Sequence, residues 1–471
     1  MWRKTIWDWH NGPSNQVLFS ILSRIAHGPA DLSPNDPESF YFSEWKVRLP
    51  SFFAGVGAIF ATGWLVWLLG APRGAPIAGF FLALHPMFIR YGTEARGYAL
   101  MMFLAPLAIC FLIRALQSGR LRWWIPFGAT QFLLLTAYFG SVYFLVPLNL
   151  VAIWLAWDFP KTRNPLRSGQ LWRYTGSTLF GAMLTIQFFL PNLLQLPAYL
   201  EGGRLNQPID YSVWAQDTAV LWPTGTPLHE WEPENPNSLT ISELAPAPAL
   251  AWLIVATFWG GVILGLVLLL RRAWWRWFSI VLIGPVLWMF LQACGSGLVL
   301  YPWYSVGFLT TGVALFALPW GRLLRSGRRI PAASAILALA VIVPLVSHQN
   351  LKLICKNSVE PLAESTREIR RVVNPFHPEI DEVWTISFHH YSRLYDPAGI
   401  VAKTDDEFLA ILQEAEATGK PVAINTAHLD WGRTHFPGTF ALLDDRTKFE
   451  EPVVFPGLQQ PCTRFVYRRL R

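Results

Sequence analysis

The chain has 471 residues, 52% of them hydrophobic and only 15% charged, with a mean hydropathy of +0.31, 24 Trp and 32 Phe. A soluble domain carries about 25% charged residues, so this composition excludes a water-soluble globule and points to an all-α polytopic membrane protein. The formal net charge of +7 is no nucleic-acid signature, because Lys and Arg fall in short loops rather than on one surface. Four cysteines, at 110, 294, 355 and 462, form no CxxC pair, which argues against a zinc ribbon or redox motif.

Residues 1–46 contain no membrane span. Val17, Leu18, Ile21, Leu22 and Ile25 recur at helical spacing, which predicts a short amphipathic helix lying on the membrane interface. It is too short for a bilayer core that needs roughly 20 residues. Asp8, His10 and Asn15 interrupt the segment and no cleavage site follows, so it is not a signal peptide.

Ten candidate spans follow within 47–348, near 50–70, 75–90, 96–116, 123–139, 141–158, 174–196, 248–270, 277–294, 303–320 and 330–347. Several are short or contain proline (Pro86, Pro106, Pro126, Pro147), and a nine-span count that fuses one pair is the alternative. Breaks near 92–96 and 139–141 read as tight hairpins. One set of loops holds Arg73; Arg114, Arg120 and Arg122; Lys161, Arg163, Arg167 and Arg173; Arg271, Arg272 and Arg276; and Arg322, Arg325, Arg328 and Arg329. The only acid there is Asp158, whereas loop 197–247 has Arg204 alone against seven acids. Lys/Arg bias makes the basic loops cytoplasmic. Glu94, loop 197–247, residues 1–46 and the C-terminal tail then face outward. Nothing precedes 1–46 to carry it across, so a further span is expected upstream.

Between two apolar spans, Leu84 to Leu100 packs Arg90, Glu94 and Arg96 into seven residues at a membrane surface. The ordinary reading is a carboxylate favoured at a helix N-terminus by about 0.3–1 kcal/mol and paired with Arg96. The functional reading is a carboxylate and two guanidiniums at the mouth of a cavity, set for an anionic substrate. His85-Pro86 reads as a kink with a satisfied histidine before it reads as a metal ligand. Trp214, Trp222 and Trp231, among acids in loop 197–247, suit sugar or acceptor contact and interfacial anchoring equally.

From 349 to 471 charge rises, and 382–388, 421–427 and Thr463 to Arg468 read as strands around a helix at 405–418. This predicts one small α/β domain. Cys355 and Cys462 are open to two readings, a disulfide in an oxidising compartment or two buried free thiols. His389, His390 and His428 are weak metal candidates.

Three stretches carry a resemblance. Asn11-Gly-Pro-Ser-Asn15-Gln-Val-Leu-Phe-Ser-Ile-Leu is similar to a segment that reads His-Pro-Pro-Leu or Asn-His-Val-Leu before an interfacial helix. Glu44-Trp-Lys-Val-Arg48-Leu-Pro-Ser resembles an Arg-Leu-Pro-Ser span entry, and Tyr91-Gly-Thr-Glu94-Ala-Arg96-Gly-Tyr98-Ala-Leu resembles a Glu-Ala-Arg-x-Tyr-Ala-Leu motif. The family is the polyprenyl-phosphate-sugar-dependent glycosyltransferases of the C-type membrane fold, which include protein O-mannosyltransferases and lipid A aminoarabinose transferases. The likeness is close over about the first 120 residues and architectural beyond them.

The resemblance implies an inverting transfer, at the outer face of a bacterial inner membrane, from a polyprenyl-phosphate sugar donor to a glycan, lipid or protein acceptor. The C-terminal domain is then periplasmic. Glu94 is implied as a catalytic carboxylate, with Asp8 the nearest substitute for the family's Asp-Glu pair, which has no counterpart in this chain. Arg96 and Arg90 are implied as donor-phosphate partners, and His10, Asn15 and Tyr98 as acceptor or sugar contacts. A divalent cation, Mg2+ or Mn2+, is an open cofactor expectation. Many relatives carry an Arg-Tyr motif in a late span; here the comparable stretch is Tyr301-Pro-Trp303-Tyr304, without arginine. The competing readings are a transporter or lipid flippase, which predicts repeated halves that are not seen, and an inactive scaffold.

Overall fold

The computed structural model describes residues 16–28, 43–157, 169–194, 210–229, 239–244, 248–272, 274–296, 301–325, 329–373, 383–389, 392, 395–396, 399–459 and 462–470. They form two compact units, the first holding the helices through Asn350 and the second the chain from Leu351 onward.

The first unit begins with α1 (Val17–His27), the expected short amphipathic helix, whose Val17, Phe19 and Ser23 are buried. It packs on α2 (Glu44–Leu68) and α6 (Leu121–Ala137), and the Ser23 hydroxyl donates to the Val47 carbonyl at 3.0 Å. On α2, Ala54, Ala58, Ala61 and Leu65 face inward, while Phe52, Phe53, Phe60 and Trp67 are exposed. In a protein crossing a membrane that apolar outer face meets lipid, and small residues inside let helices approach. The following helices are α3 (Ala75–Ala83), α4 (Pro86–Thr93), α5 (Tyr98–Ser118), α7 (Val142–Ala156) after α6, and α8 (Gly169–Leu193). Then come α9 (Tyr211–Thr224), α10 (Pro248–Leu270), α11 (Phe278–Ser296), α12 (Leu309–Leu323) and α13 (Arg329–Lys356).

Seven stretches among the described residues are long and apolar enough to cross a membrane: Glu44–Leu68, Tyr98–Ser118, Phe139–Ala156, Pro248–Leu270, Trp275–Gly295, Tyr304–Leu323 and Ala333–Lys356. The chain is a multi-pass membrane protein. Three of the ten expected spans differ. The one expected at 75–90 is two short helices, α3 and α4, because Pro86 cannot donate into a continuing helix and opens a new one instead. α6, at 17 residues, and the less apolar α8 are helices where spans were expected but are not among the seven. The expected breaks fall at the Glu94–Gly97 bend and at the Phe139–Ser141 turn.

The basic loops meet at one end of this unit. Arg73 donates to the Leu324 carbonyl at 2.6 Å, Arg173 to the Gly119 carbonyl, and Arg114 lies over the Trp67 and Trp123 rings at 6.0 and 5.7 Å. A polar chain ties α6, α7 and α8 within the bundle. Asn149 donates to Gln131 at 2.8 Å, Tyr174 donates to Asn149 at 2.8 Å, and Gln131 donates to Thr178 at 3.3 Å.

The second unit is the expected small α/β fold. Its strands β1 (Trp384–Ser387), β2 (Ile400–Val401), β3 (Val422–Thr426), β4 (Val453–Phe455) and β5 (Arg464–Arg468) form one sheet in the order β2-β1-β3-β5-β4. β1 pairs parallel with β2 and β3, and β5 pairs antiparallel with β3 and β4. Helices α14 (Leu362–Val373), α15 (Asp405–Ala417), α16 (Leu429–His435) and α17 (Pro437–Leu443) complete it. Ile386, Phe408, Leu412, Ile424, Phe436 and Phe440 make its core. The fully buried Arg464 pairs with Glu360 and reaches Asn425 at 3.4 Å, so its charge is not left uncompensated.

Candidate functional site

At the end of the first unit opposite the basic loops, the α4–α5 bend brings Arg90, Glu94 and Arg96 together. Arg90 sits in the last turn of α4, and its Nε donates to Glu94 Oε1 at 3.1 Å. Arg96 Nε lies 4.0 Å from the other carboxylate oxygen. The Glu94 side chain is only 10% exposed and that of Arg96 is 53% exposed. One carboxylate is therefore held in a nearly dry place by two guanidiniums, of which that of Arg96 is half exposed. Arg90 also lies over the Tyr91 ring at 5.3 Å, which limits its freedom to swing away.

The bend that carries Glu94 is pinned from three sides. The Ser51 hydroxyl donates to the Arg96 carbonyl at 3.1 Å. The Gly97 N–H donates to the Gln16 side-chain oxygen. Gly97 is also pressed against the end of α6, since a Cβ there would lie 2.1 Å from the Ala137 carbonyl oxygen. The three stretches that carry the family resemblance thus converge on four residues. Sequence reasoning missed Gln16 and Ser51 as members of this site, although both lie inside stretches it singled out.

Tyr98 is in the α5 first turn and buried, its ring 5.0 Å from Tyr91 and 5.3 Å from Tyr138. Asp8, His10 and Asn15 lie outside the described residues. His85 is satisfied, as expected: Nδ1 accepts from the Phe88 N–H at 3.3 Å and Nε2 faces the Trp222 carbonyl at 2.9 Å. Nδ1 as acceptor assigns the proton to Nε2, a neutral cap on α4.

Neither Trp214 nor Trp222 is a surface contact. Trp214 stacks on Phe290 at 5.5 Å and Trp222 on Trp259 at 6.0 Å, both buried in the core. The Trp222 indole donates to Ser305 at 3.1 Å, which ties α9 to the Pro302–Phe308 turn. Trp231 lies outside the described residues. No disulfide joins Cys355 and Cys462, the first exposed and the second half-buried, so they are neither bonded nor both buried.

The donor set does not suit a divalent cation at Glu94, whose two oxygens face guanidiniums. Among the described residues no group of three His, Cys, Asp or Glu is placed to hold a metal. His389 and His428 stand 5.4 Å apart by ring centres, with His389 5.6 Å from Trp431, an aromatic cluster rather than a ligand set; His390 lies outside the described residues.

Residues 39–193 match the family model described as dolichyl-phosphate-mannose-protein mannosyltransferase. A search of curated proteins finds no match. Among solved structures, ArnT from Cupriavidus metallidurans in the apo state aligns with a TM-score of 0.51 at 13% identity, over 96% of this chain and 87% of that one. Its complex with undecaprenyl phosphate gives a TM-score of 0.50 over the same shares, again at 13% identity. The oligosaccharyltransferase AglB from Archaeoglobus fulgidus, with an inhibitory peptide and a dolichol-phosphate, gives 0.46 at 13% identity, over 89% of this chain and 61% of that one. Residues 39–193 therefore carry the mannosyltransferase family's pattern and the chain has the ArnT fold, in agreement with its resemblance to the polyprenyl-phosphate-sugar-dependent glycosyltransferases.

Proposed function

We propose that this membrane protein transfers a sugar from a polyprenyl-phosphate-linked donor to an acceptor at the outer face of a bacterial inner membrane, with inversion. The observation that carries the reading is the Glu94 carboxylate held between Arg90 and Arg96 at the end of the bundle away from the basic loops. The match of 39–193 to a family acting on a lipid-phosphate sugar supports it, as does an ArnT relative solved with undecaprenyl phosphate.

The chemistry follows from charge. The acceptor's oxygen or nitrogen lone pair attacks the anomeric carbon, the bond from that carbon to the phosphate oxygen breaks, and the electron pair leaves with the phosphate. Negative charge grows on the leaving group, so cations placed there in advance lower the barrier. Arg96 is the accessible partner and its planar fork suits a phosphate. Glu94 orients both guanidiniums before the donor arrives. As the phosphate draws Arg96 toward itself, Glu94 is released to take the acceptor's proton. No step requires a metal. Asp8 is a second candidate for that proton, and His10 and Asn15 for acceptor contact.

Glu94→Gln tests the reading in purified protein supplied with an undecaprenyl-phosphate sugar. It keeps the shape, removes the charge, and is expected to lower transfer by roughly 10²–10⁴-fold with the melting temperature little changed. Unchanged transfer removes Glu94 from the mechanism. Donor binding without transfer by the wild type favours an inactive scaffold, and donor movement between leaflets favours a transporter.

A further inference from the structure

Gln16 occupies the position before the first residue of α1, where Ser, Thr, Asp or Asn ordinarily caps the helix. Its side chain makes no hydrogen bond to its own helix and reaches instead across 81 residues of sequence to the Gly97 N–H. An N–H donor requires an oxygen acceptor, so the bond itself fixes which way the amide is turned. A local rule is given up at a position that touches the Glu94–Gly97 bend, which is where such departures concentrate. Two other contacts frame the same bend. Ser51 holds the Arg96 carbonyl, Ala137 blocks one side of Gly97, and the Gln16 Cβ itself lies 3.3 Å from where a Gly97 Cβ would be.

We propose that Gln16 is a positioning residue. It locks α1 onto the bend and so fixes the direction in which Arg96 presents its guanidinium to the donor phosphate. This rests on the donor reading above. The lever is short: Arg96 directly precedes Gly97, and a rotation of that one peptide displaces the end of its five-donor side chain. α1 is in turn tied to α2 through Ser23 and Val47, so the clamp joins the amphipathic helix, the α2 entry and the Glu94 bend in one rigid corner.

The test compares wild type, Gln16→Leu, which keeps bulk and removes the acceptor, and Gln16→His, which restores one. Two readouts are taken on the full chain in detergent: amide hydrogen exchange fragmented across residues 94–100, and titration with undecaprenyl phosphate. Gln16→Leu is expected to speed Gly97 exchange by roughly 2- to 10-fold, the worth of one hydrogen bond. It is also expected to weaken undecaprenyl phosphate binding by roughly 10-fold, the scale on which outer partners act on the groups they orient. Gln16→His is expected to restore both. Unchanged Gly97 exchange in Gln16→Leu overturns the clamp. Faster exchange with unaltered binding overturns its role toward the donor while leaving the donor reading intact. A wild type that does not take up undecaprenyl phosphate overturns the donor reading itself and, with it, the role given to Gln16.

Discussion

Gly97 shows how tightly a single residue is bound by its neighbours. A methyl group there would lie 2.1 Å from a backbone carbonyl oxygen, that of Ala137, which cannot swing aside as a side chain would. Gly97→Ala is expected to destabilise the first unit by about 1–3 kcal/mol and to shift the Glu94 bend, measurable as a lower melting temperature together with faster exchange across 94–100. His428 is the other constrained residue, the only non-glycine with positive φ among those described, at 52°. Half-burial lowers its imidazole pKa; Glu360 pulls it back up and Arg464 pushes it down again. In the window between that lowered value and the ordinary value of about 6.5, the unfolded chain holds more protons than the folded one, so stability rises with pH. Acidification through the window is expected to loosen the second unit, and His428→Asn, which tolerates the same backbone, to flatten the dependence. Exchange protection of Val422–Thr426 between pH 7.5 and 5 measures it. Glu94 was legible in the sequence because charge is scarce near spans. Gln16 was not, because a glutamine before an amphipathic helix looks ordinary until its partner 81 residues away is known.

At the scale of elements, legibility followed length and period. The second-unit strands with apolar runs, Trp384–Ser387, Val422–Thr426 and Arg464–Arg468, fall where alternation placed them, whereas Ile400–Val401 and Val453–Phe455 are too short to leave a pattern. The break between α3 and α4 had its signal in Leu84-His85-Pro86, but an apolar stretch of span length outweighed it. α9 lay hidden in a stretch read as loop, since its tryptophans serve a core and not a surface. The Asn149 amide is the element-scale contact whose removal is most telling. It donates to Gln131 and to the Leu145 carbonyl and accepts from Tyr174. Hydrogen bonds between membrane helices average about 0.6 kcal/mol with a maximum near 1.7 kcal/mol. Asn149→Leu breaks two of them and leaves Gln131 and Tyr174 seeking partners. A loss of about 1–2 kcal/mol is expected, read as a lower unfolding midpoint.

For the whole molecule the question is which end faces out. Loops that share Lys/Arg bias are neighbours in space, as Arg73 with Leu324 and Arg173 with Gly119 attest. The Glu94 bend belongs to the other end, together with Gln16, Ser51, and the His85–Trp222–Ser305 chain. α13 returns to that other end. Its Asn350 donates to the Gly225 carbonyl and to Thr226, both at 2.9 Å, just beyond the C-terminus of α9. Cys355 follows five residues later in the same helix and is exposed. Its labelling therefore reports which side of the membrane this end of α13 faces. If the basic loops are cytoplasmic, a charged, membrane-impermeant maleimide is expected to label Cys355 in intact spheroplasts without prior reduction, since the thiol is free. The labelling is done in a Cys294→Ser, Cys462→Ser background, because Cys294 is exposed and Cys462 half-buried; there Cys355→Ser identifies the site by removing the label, while Cys110 is buried and stays unreactive. Labelling that appears only after the membrane is lysed would reverse the orientation. Glu94, Arg90 and Arg96 would then open toward the cytoplasm, and transfer at the outer face would have to be abandoned.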